Sequence, residues 1–264
     1  MRRLAIVLVL VSLPLAAAAC GGSSKAKAPS ASSGAAAIAV VTAAAKKSAL
    51  AGSEHLTLKV GGKASGQEIV VTGAGDFDNK QHVGMLHVDF SAAGISASID
   101  AVLSSTDMYL KSSLFSVLLP AGKSWLKLDL KKAASAQGLS LNTLLSQDPT
   151  HSLTALQSLT GATKVGTEQV DGVETTHYRA RIDLSKLPAA PTASPAAPST
   201  YDAWVGGDGY VHRVRTHIVT GSGKQKSVVT LTADLADFGK SVSVAVPPAA
   251  QTLTSTGSLP GLGG

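Results

Sequence analysis

The residues able to do covalent, acid–base or metal chemistry are few in this chain and poorly grouped. Its 264 residues hold a single cysteine, Cys20, in the stretch Leu13–Gly22 (LPLAAAACGG), so no intramolecular disulfide can form. Seven histidines (55, 82, 87, 151, 177, 212 and 217) show neither an HExxH pattern nor any other close ligand spacing. His177 and His217 fall on the charged phase of their segments, which reads as solvated surface. Serines are abundant, but there is no G-x-S-x-G elbow to expose one as a nucleophile. Asp76-Phe77-Asp78-Asn79 lacks the extended ligand loop of a calcium site and reads as a polar hairpin tip. Gly221-Ser222-Gly223-Lys224 is too short for a phosphate-binding loop. These patterns point away from an enzyme and imply no cofactor or metal. The net charge of +6 comes without a dense Lys/Arg cluster, so no nucleic-acid partner is expected; a mild positive excess suits an anionic membrane surface.

What Cys20 could do depends on what precedes it. Met1-Arg2-Arg3 is a positive lead, Leu4–Leu15 (LAIVLVLVSLPL) an apolar core, and Ala16–Ala19 a run of small residues. Residues 1–19 therefore read as an export signal. The apolar stretch is interrupted by Pro14 and falls short of the roughly 18 residues a membrane span needs. Small residues directly before a cysteine resemble the lipobox of bacterial lipoproteins, which implies a diacylglyceryl group on the Cys20 sulfur and cleavage just before it. Ala17 stands at the −3 position, where that motif usually has Leu, and Ala17-x-Ala19 equally satisfies the ordinary small-residue cleavage rule. Both readings release Cys20 at the new end. The following Gly21–Gly34 (GGSSKAKAPSASSG) has no apolar periodicity, so residues 20–34 read as a lipidated cysteine on a flexible linker spanning about 20 Å. A tether serves an anchored domain, and a diacyl group supplies the two chains that stable anchoring needs. The expectation is an exported protein, lipid-anchored on the outer face of the cytoplasmic membrane.

The 44% hydrophobic and 15% charged content indicates a folded domain, placed here at residues 35–250. Ala35–Leu50 is alanine-rich, free of Gly and Pro, and ends in Lys46-Lys47, which predicts a helix. Beyond it the hydrophobic period becomes two. Ile95, Ala97, Ile99, Ala101 and Leu103 alternate with polar residues, as do Leu126, Leu128 and Leu130, and Tyr178, Ala180, Ile182 and Leu184. Val170-Asp171-Gly172-Val173 and Gly207-Asp208-Gly209-Tyr210 predict Asp-Gly hairpin turns, and Gly221-Ser222-Gly223 separates strands at 210–220 and 226–236. A helical patch is expected at Leu139–Leu145 and again from Asp148-Pro149 through Leu153, Leu156 and Leu159, stopping at Gly161. Residues 188–199 form a Pro-rich loop, and residues 251–264 read as a disordered tail.

The implied fold is α+β: one large curved antiparallel sheet of about 10–12 strands with a few helices on one face. Too little helix to fill a curled sheet leaves a concave apolar space; the alternative is an interior filled by the protein's own side chains. Candidates to line that space are the apolar-phase residues Ile95, Ile99, Leu126, Leu128, Tyr178, Ile182, Val214, Ile218 and Leu231. Arg179 and Arg181 share one strand face, as do Arg213 and Arg215; they read as the wet outer face, or as a basic zone for anionic headgroups.

Four phrases, taken in order, resemble a known family. Met108-Tyr109-Leu110-Lys111 precedes Trp125-Leu126-Lys127-Leu128-Asp129. Val165-Gly166-x-Glu168-x-Val170-Asp171-Gly172-Val173-x-Thr175-x-His177-Tyr178 follows, then Ala203-Trp204-Val205-x-x-Asp208-Gly209-Tyr210-Val211-x-Arg213. Asp237-Phe238-Gly239 and Val246-Pro247-Pro248 complete the set. With the lipobox-like cysteine, this order resembles the LppX/LprA/LprF/LprG lipoproteins of actinobacteria over about residues 35–250. The resemblance implies a LolA/LolB-like half-barrel wrapping helices around an apolar cavity. It further implies binding or carrying of acylated glycolipids or other long-chain lipids in the envelope, with an unidentified transporter as a possible partner and no catalytic residue. Measured against the family pattern, the Pro188–Pro198 insertion falls at one rim of the expected cavity. A non-catalytic envelope interaction or structural lipoprotein with a filled core is the competing reading.

Overall fold

The protein is described from a computed structural model covering residues 31–64, 67–92, 94–116, 119–136, 156, 159–182, 200–220 and 227–255. Cys20, the Pro-rich segment 188–199, and the predicted helical residues Leu139–Leu145 and Asp148–Leu153 lie outside these described residues.

The chain opens with helix α1 (Ala31–Ala49), which begins four residues earlier than the sequence suggested and so takes in the end of the expected linker. Ala31 to Ala37 contain no helix breaker except Gly34. Ala37, Val41, Ala44, Ala45 and Ser48 are all buried at i, i+4, i+7, i+8 and i+11 spacing. Their small size lets the helix lie close against the sheet. The helix ends where Leu50 N–H bonds the Lys46 carbonyl at 3.1 Å and Gly52 takes a φ of 88°, a left-handed conformation that suits glycine.

Twelve strands follow among the described residues. The first meander comprises β1 (Ser53–Ala64), β2 (Gln67–Asp78), β3 (Val83–Ala92), β4 (Ile95–Leu103), β5 (Asp107–Ser112) and β6 (Trp125–Asp129). A one-turn helix α2 (Ser113–Ser116) lies between β5 and β6, and a short helix α3 (Leu130–Ala136) follows β6. The second meander comprises β7 (Leu159–Val170), β8 (Val173–Ile182), β9 (Thr200–Gly206), β10 (Val211–Thr220) and β11 (Ser227–Ala236). The chain then crosses the sheet end through a 3-10 turn (Ala249–Gln251) and adds β12 (Thr252–Thr254). The order is β12-β6-β5-β4-β3-β2-β1-β11-β10-β9-β8-β7. β1 pairs β11 and so joins the two meanders into one sheet; only the β12–β6 pair is parallel. This is the large curved α+β sheet expected from the alternating pattern. No helix among the described residues is long and apolar enough to cross a membrane.

Three local expectations are corrected. Leu159 and Gly161 do not end a helix: Leu159 begins β7 and pairs with Ile182, because the strand ladder with β8 outweighs the leucine spacing. Thr252–Thr254 is ordered as β12 instead of opening a disordered tail, since its backbone groups find partners on β6 at the sheet edge. Asp78, not Asp76, forms the hairpin tip, where its carboxylate accepts from the backbone N–H of Lys80 and Gln81, both at 2.9 Å; Asp76 lies within β2 and bonds His55 Nδ1 at 2.7 Å.

The two Asp-Gly turns also separate. Asp171 (φ 48°) and Gly172 (φ 83°) are both left-handed, as a two-residue hairpin requires. At the second turn only Gly209 (φ 79°) is left-handed, because four residues, 207–210, connect β9 to β10.

β2 and β3 approach closely at Gly75. A Cβ built on Gly75 would meet the Met85 carbonyl oxygen of β3 at 2.1 Å and the Leu86 Cα at 2.8 Å. The neighbouring backbone therefore occupies the space of a side chain, which only glycine permits. Gly75→Ala is expected to destabilise the fold by about 3 kcal/mol, the upper end of overpacking penalties. Chemical denaturation, comparing midpoints at an unchanged m-value, measures this.

Candidate functional site

The sheet register sorts every strand residue onto one of two faces. Leu58 of β1 pairs with Gly73 and Ala233, Val88 of β3 with Gly73 and Ile99, and Leu110 of β5 with Ala101 and Leu126. Together with Ala203, Val214 and Leu235 these define the apolar face. All nine candidates from the sequence, Ile95, Ile99, Leu126, Leu128, Tyr178, Ile182, Val214, Ile218 and Leu231, occupy positions of this face by strand parity.

The face is divided in two by what covers it. Val41, Ala44 and Ala45 of α1 form one cluster with Leu56, Phe77, Ala203, Val205, Val214, Ala233 and Leu235, and Tyr178 and Leu231 pack against it. Val214 and Tyr178 thus belong to a packed core over β7–β11, β1 and the end of β2. Among the described residues, none of the apolar-face residues of β3–β6 joins this buried cluster, although Leu86 packs at its margin. Val88, Phe90, Ala97, Ile99, Ala101, Leu110 and Leu128 are there only half-buried, while Leu126 is fully buried. Ile95, at the strand end, is 40% exposed. A half-buried apolar surface of this kind is what a wall facing a hydrocarbon ligand would present.

The opposite face holds the four arginines read as a wet outer face or as a basic zone for headgroups, and it is less open to water than the first reading expects. Trp204 of β9 lies on this face yet is only 1% exposed. His177 stacks on its ring with centroids 4.2 Å apart, and the Arg215 guanidinium lies 4.9 Å from its centre. His177 is therefore half-buried, not a solvated surface group. Asp202, itself buried, accepts from Arg179 Nε at 2.9 Å and bonds His177 Nε2 at 3.0 Å. Asp234, also buried, accepts from Arg213 Nε and, at 2.8 Å, from Arg213 Nη2. That fork holds the Arg213 guanidinium even more firmly protonated than usual. Two of the four arginines are thus partners of buried carboxylates within the sheet. Arg181 is exposed, and Arg179 and Arg213 are the ones committed to pairs.

Burial pushes the Asp202 carboxyl up, but hydrogen bonds from Arg179 and His177 outweigh it and leave it below the ordinary carboxylate value. A carboxyl depressed in the fold stabilises it above the unfolded-state pKa, and that stabilisation fades as pH falls through the folded value. Asp202→Asn is expected to cost about 1–3 kcal/mol near pH 7, the range for hydrogen bonds to charged groups. The gap to the parent should close on acidification toward pH 3, which thermal melts across the pH range would follow.

Sequence reasoning missed Trp204, Asp202 and Asp234. Trp204 stood out only within a family-resembling phrase, and Asp202 and Asp234 only as polar residues in strand alternation. That Asp202 meets Arg179 and Asp234 meets Arg213 depends on the β8–β9 and β10–β11 registers. Among the described residues no group of three His, Cys, Asp or Glu side chains is arranged to hold a metal ion.

The sequence model described as LppX_LprAFG lipoprotein matches residues 35–244. The fold is similar to that of LprF from Mycobacterium bovis, with a TM-score of 0.52 at 13% identity, over 80% of this chain and 96% of that one. It is similar as well to the Mycobacterium tuberculosis lipoprotein LppX, with a TM-score of 0.51 at 15% identity, over 80% of this chain and 98% of that one. No curated protein matches the sequence.

Proposed function

Because the chain belongs to the LppX_LprAFG lipoprotein family, we propose that it is an exported envelope lipoprotein, anchored through Cys20, that binds and carries acylated lipids on its apolar face. One observation carries this reading: the half-buried apolar surface of β3–β6, built from Val88, Phe90, Ile99, Ala101, Leu110 and Leu128, which is shielded yet outside the core packed by α1. Acyl chains gain roughly 0.8 kcal/mol per CH₂ that leaves water for such a surface, so binding needs no catalysis. Release needs the chains to find an equally apolar environment, which a membrane or an acceptor protein provides. Ile95, exposed at the strand end, marks the rim at which a chain would enter. A tether ahead of α1, from Cys20 to residue 30, would let the domain leave the headgroup layer while remaining attached to it.

The lipid-binding reading is tested by mass spectrometry of organic extracts from the protein purified without detergent after removal of its signal and Cys20. Co-purifying lipid, or uptake of added long-chain lipid in a stoichiometric ratio, is the expected result. An empty extract together with no uptake would overturn it and favour an envelope interaction protein with a filled core.

A further inference from the structure

Resting on the reading of an anchored envelope lipoprotein, we propose that one end of the sheet, the end at which α1 begins, docks on an anionic lipid bilayer. The direction of α1 sets which end this is. Its first turns lie beside the start of β7: a Cβ built on Gly34 would stand 3.7 Å from the Ala162 carbonyl oxygen, and Ala37 packs with Ala162 and Ala180. Its last turn lies at the opposite end, where the Ser48 hydroxyl accepts from the Val211 N–H at 2.9 Å at the start of β10. Ala31, the residue nearest Cys20 in the domain, is therefore at the first of these ends. A flexible segment as long as residues 20–30 spans about 18 Å, so an anchor at Cys20 keeps this end within reach of the headgroups.

The antiparallel ladders bring the close of β1, β3, β8 and β10 and the opening of β2, β4, β7 and β11 to the same end. There Lys63 pairs with Val228 and Glu68, Ile69 with Ala92, and Ala92 with Ile95. Two kinds of side chain gather. Val70, Ile95 and Val228 are 42%, 40% and 40% exposed. Gly61, opposite Val70, has nothing within 4 Å of the position its Cβ would take, so β1 leaves that valine uncovered. Lys59, Lys63, Arg181 and Arg215 supply cations at this end and on the polar face next to it. Among the described residues none of the four is paired with a carboxylate, whereas Arg179 and Arg213 are committed to Asp202 and Asp234. Glu68, across from Lys63, offsets one of them. The carboxylates of the turns sit at the other end: Asp78 closes β2, Asp171 follows β7, Asp208 follows β9 and Asp237 follows β11. An anionic surface attracts the first end and repels the second.

Exposed aliphatic side chains beside unpaired lysine and arginine suit the boundary of an anionic bilayer, where the chains enter the acyl margin and the cations meet phosphates. Each cation contributes only about a fivefold factor, too little to hold an untethered domain. An anchor supplies the missing attraction as an effective concentration in the millimolar range. Docked in this way, Ile95 and the adjoining apolar face of β4 open onto the headgroup layer. An acyl chain then passes between bilayer and protein without crossing water.

The test uses residues 20–264 with Cys20→Ser and an N-terminal hexahistidine tag, held on vesicles by a nickel-chelating lipid. Docking is then read whether or not Cys20 is acylated in the cell. With no other cysteine in the chain, single thiols carry a fluorescent label: Gln67→Cys and Ser96→Cys at the proposed end, Gln81→Cys and Glu174→Cys at the other, all exposed. Vesicles of phosphatidylcholine, with and without phosphatidylglycerol, carry a quencher at headgroup depth. The expected result is quenching at positions 67 and 96 on phosphatidylglycerol vesicles, lost at high salt, with positions 81 and 174 unquenched. Lys63→Gln combined with Arg181→Gln should lower the docked-to-free ratio about twentyfold, two cations at about fivefold each. Its melting temperature should not change, since both side chains are exposed. Quenching at positions 81 and 174 instead, equal quenching at both ends, or none at either end overturns the proposal. So does quenching that neither salt nor the paired variant reduces. Acylation of Cys20 and lipid in the organic extract are read separately, so failure of the lipoprotein reading and failure of the docking end are distinguishable.

Discussion

Cys20→Ser is expected to move the protein almost completely out of the membrane fraction. The expected modification places two acyl chains on the Cys20 sulfur. At roughly 0.8 kcal/mol per buried CH₂, a pair of long chains contributes far more than any other contact this chain offers a bilayer. What remains after its loss is electrostatic. Deleting the signal removes Arg2 and Arg3 and no acidic residue, lowering the +6 net charge by two. Each Lys or Arg near an anionic surface is worth only about 1 kcal/mol, and salt screens it. Serine keeps the size and hydrogen bonding of the position while removing the thioether. Fractionation followed by mass analysis of the N-terminal peptide measures both outcomes. Retention of Cys20→Ser in the membrane, or an unmodified Cys20 in the parent, would refute the anchor.

Ile99→Asp and Ala101→Phe together decide what lies against the apolar face of β3–β6. Both residues belong to β4 on the face that carries Val88 and Leu110, and both are half-buried. A carboxylate at position 99 would have to be desolvated by an incoming acyl chain, at a cost of several kcal/mol. Lipid affinity should therefore fall at least about a hundredfold, since 1.4 kcal/mol is worth a factor of ten. Ala101→Phe separates the carrier from a filled interior. Where the wall faces a lipid cavity, the phenyl ring enters free space, so the melting temperature holds while lipid uptake falls. Where side chains fill the interior, the same ring overpacks it and costs about 1–3 kcal/mol. Lys164→Ala, on the exposed surface of β7, serves as the control expected to change neither quantity. Lipid uptake and thermal melts of the three variants give the answer, and a destabilised Ala101→Phe with unchanged uptake would sink the carrier reading.

Much of the fold is legible along the chain because alternation is a local signal. Ile95 to Leu103 alternate because β4 has one face against the apolar side and one toward water. The turn at Asp171-Gly172 is equally local, since two left-handed residues in sequence need those residue types. Legibility fails where long-range packing decides. Leucine spacing suggested a helix reaching Leu159, but a ladder with Ile182, over twenty residues away, made it a strand. Thr252–Thr254 lacks any strand pattern of its own and is ordered only because β6 offers an edge.

The sequence by itself determined the apolar phase of the strands and the Asp171-Gly172 turn. Each of these depends on residue type and near-neighbour spacing. Only the tertiary structure decided that α1 covers one half of the apolar face and leaves the β3–β6 half outside its core. It also turned a face read as wet into one where Trp204 and Asp202 are buried and His177 half-buried beside Arg179 and Arg215. Strand register is the physical reason: it fixes which side chains from distant strands stand opposite one another, and no single strand's alternation carries that information.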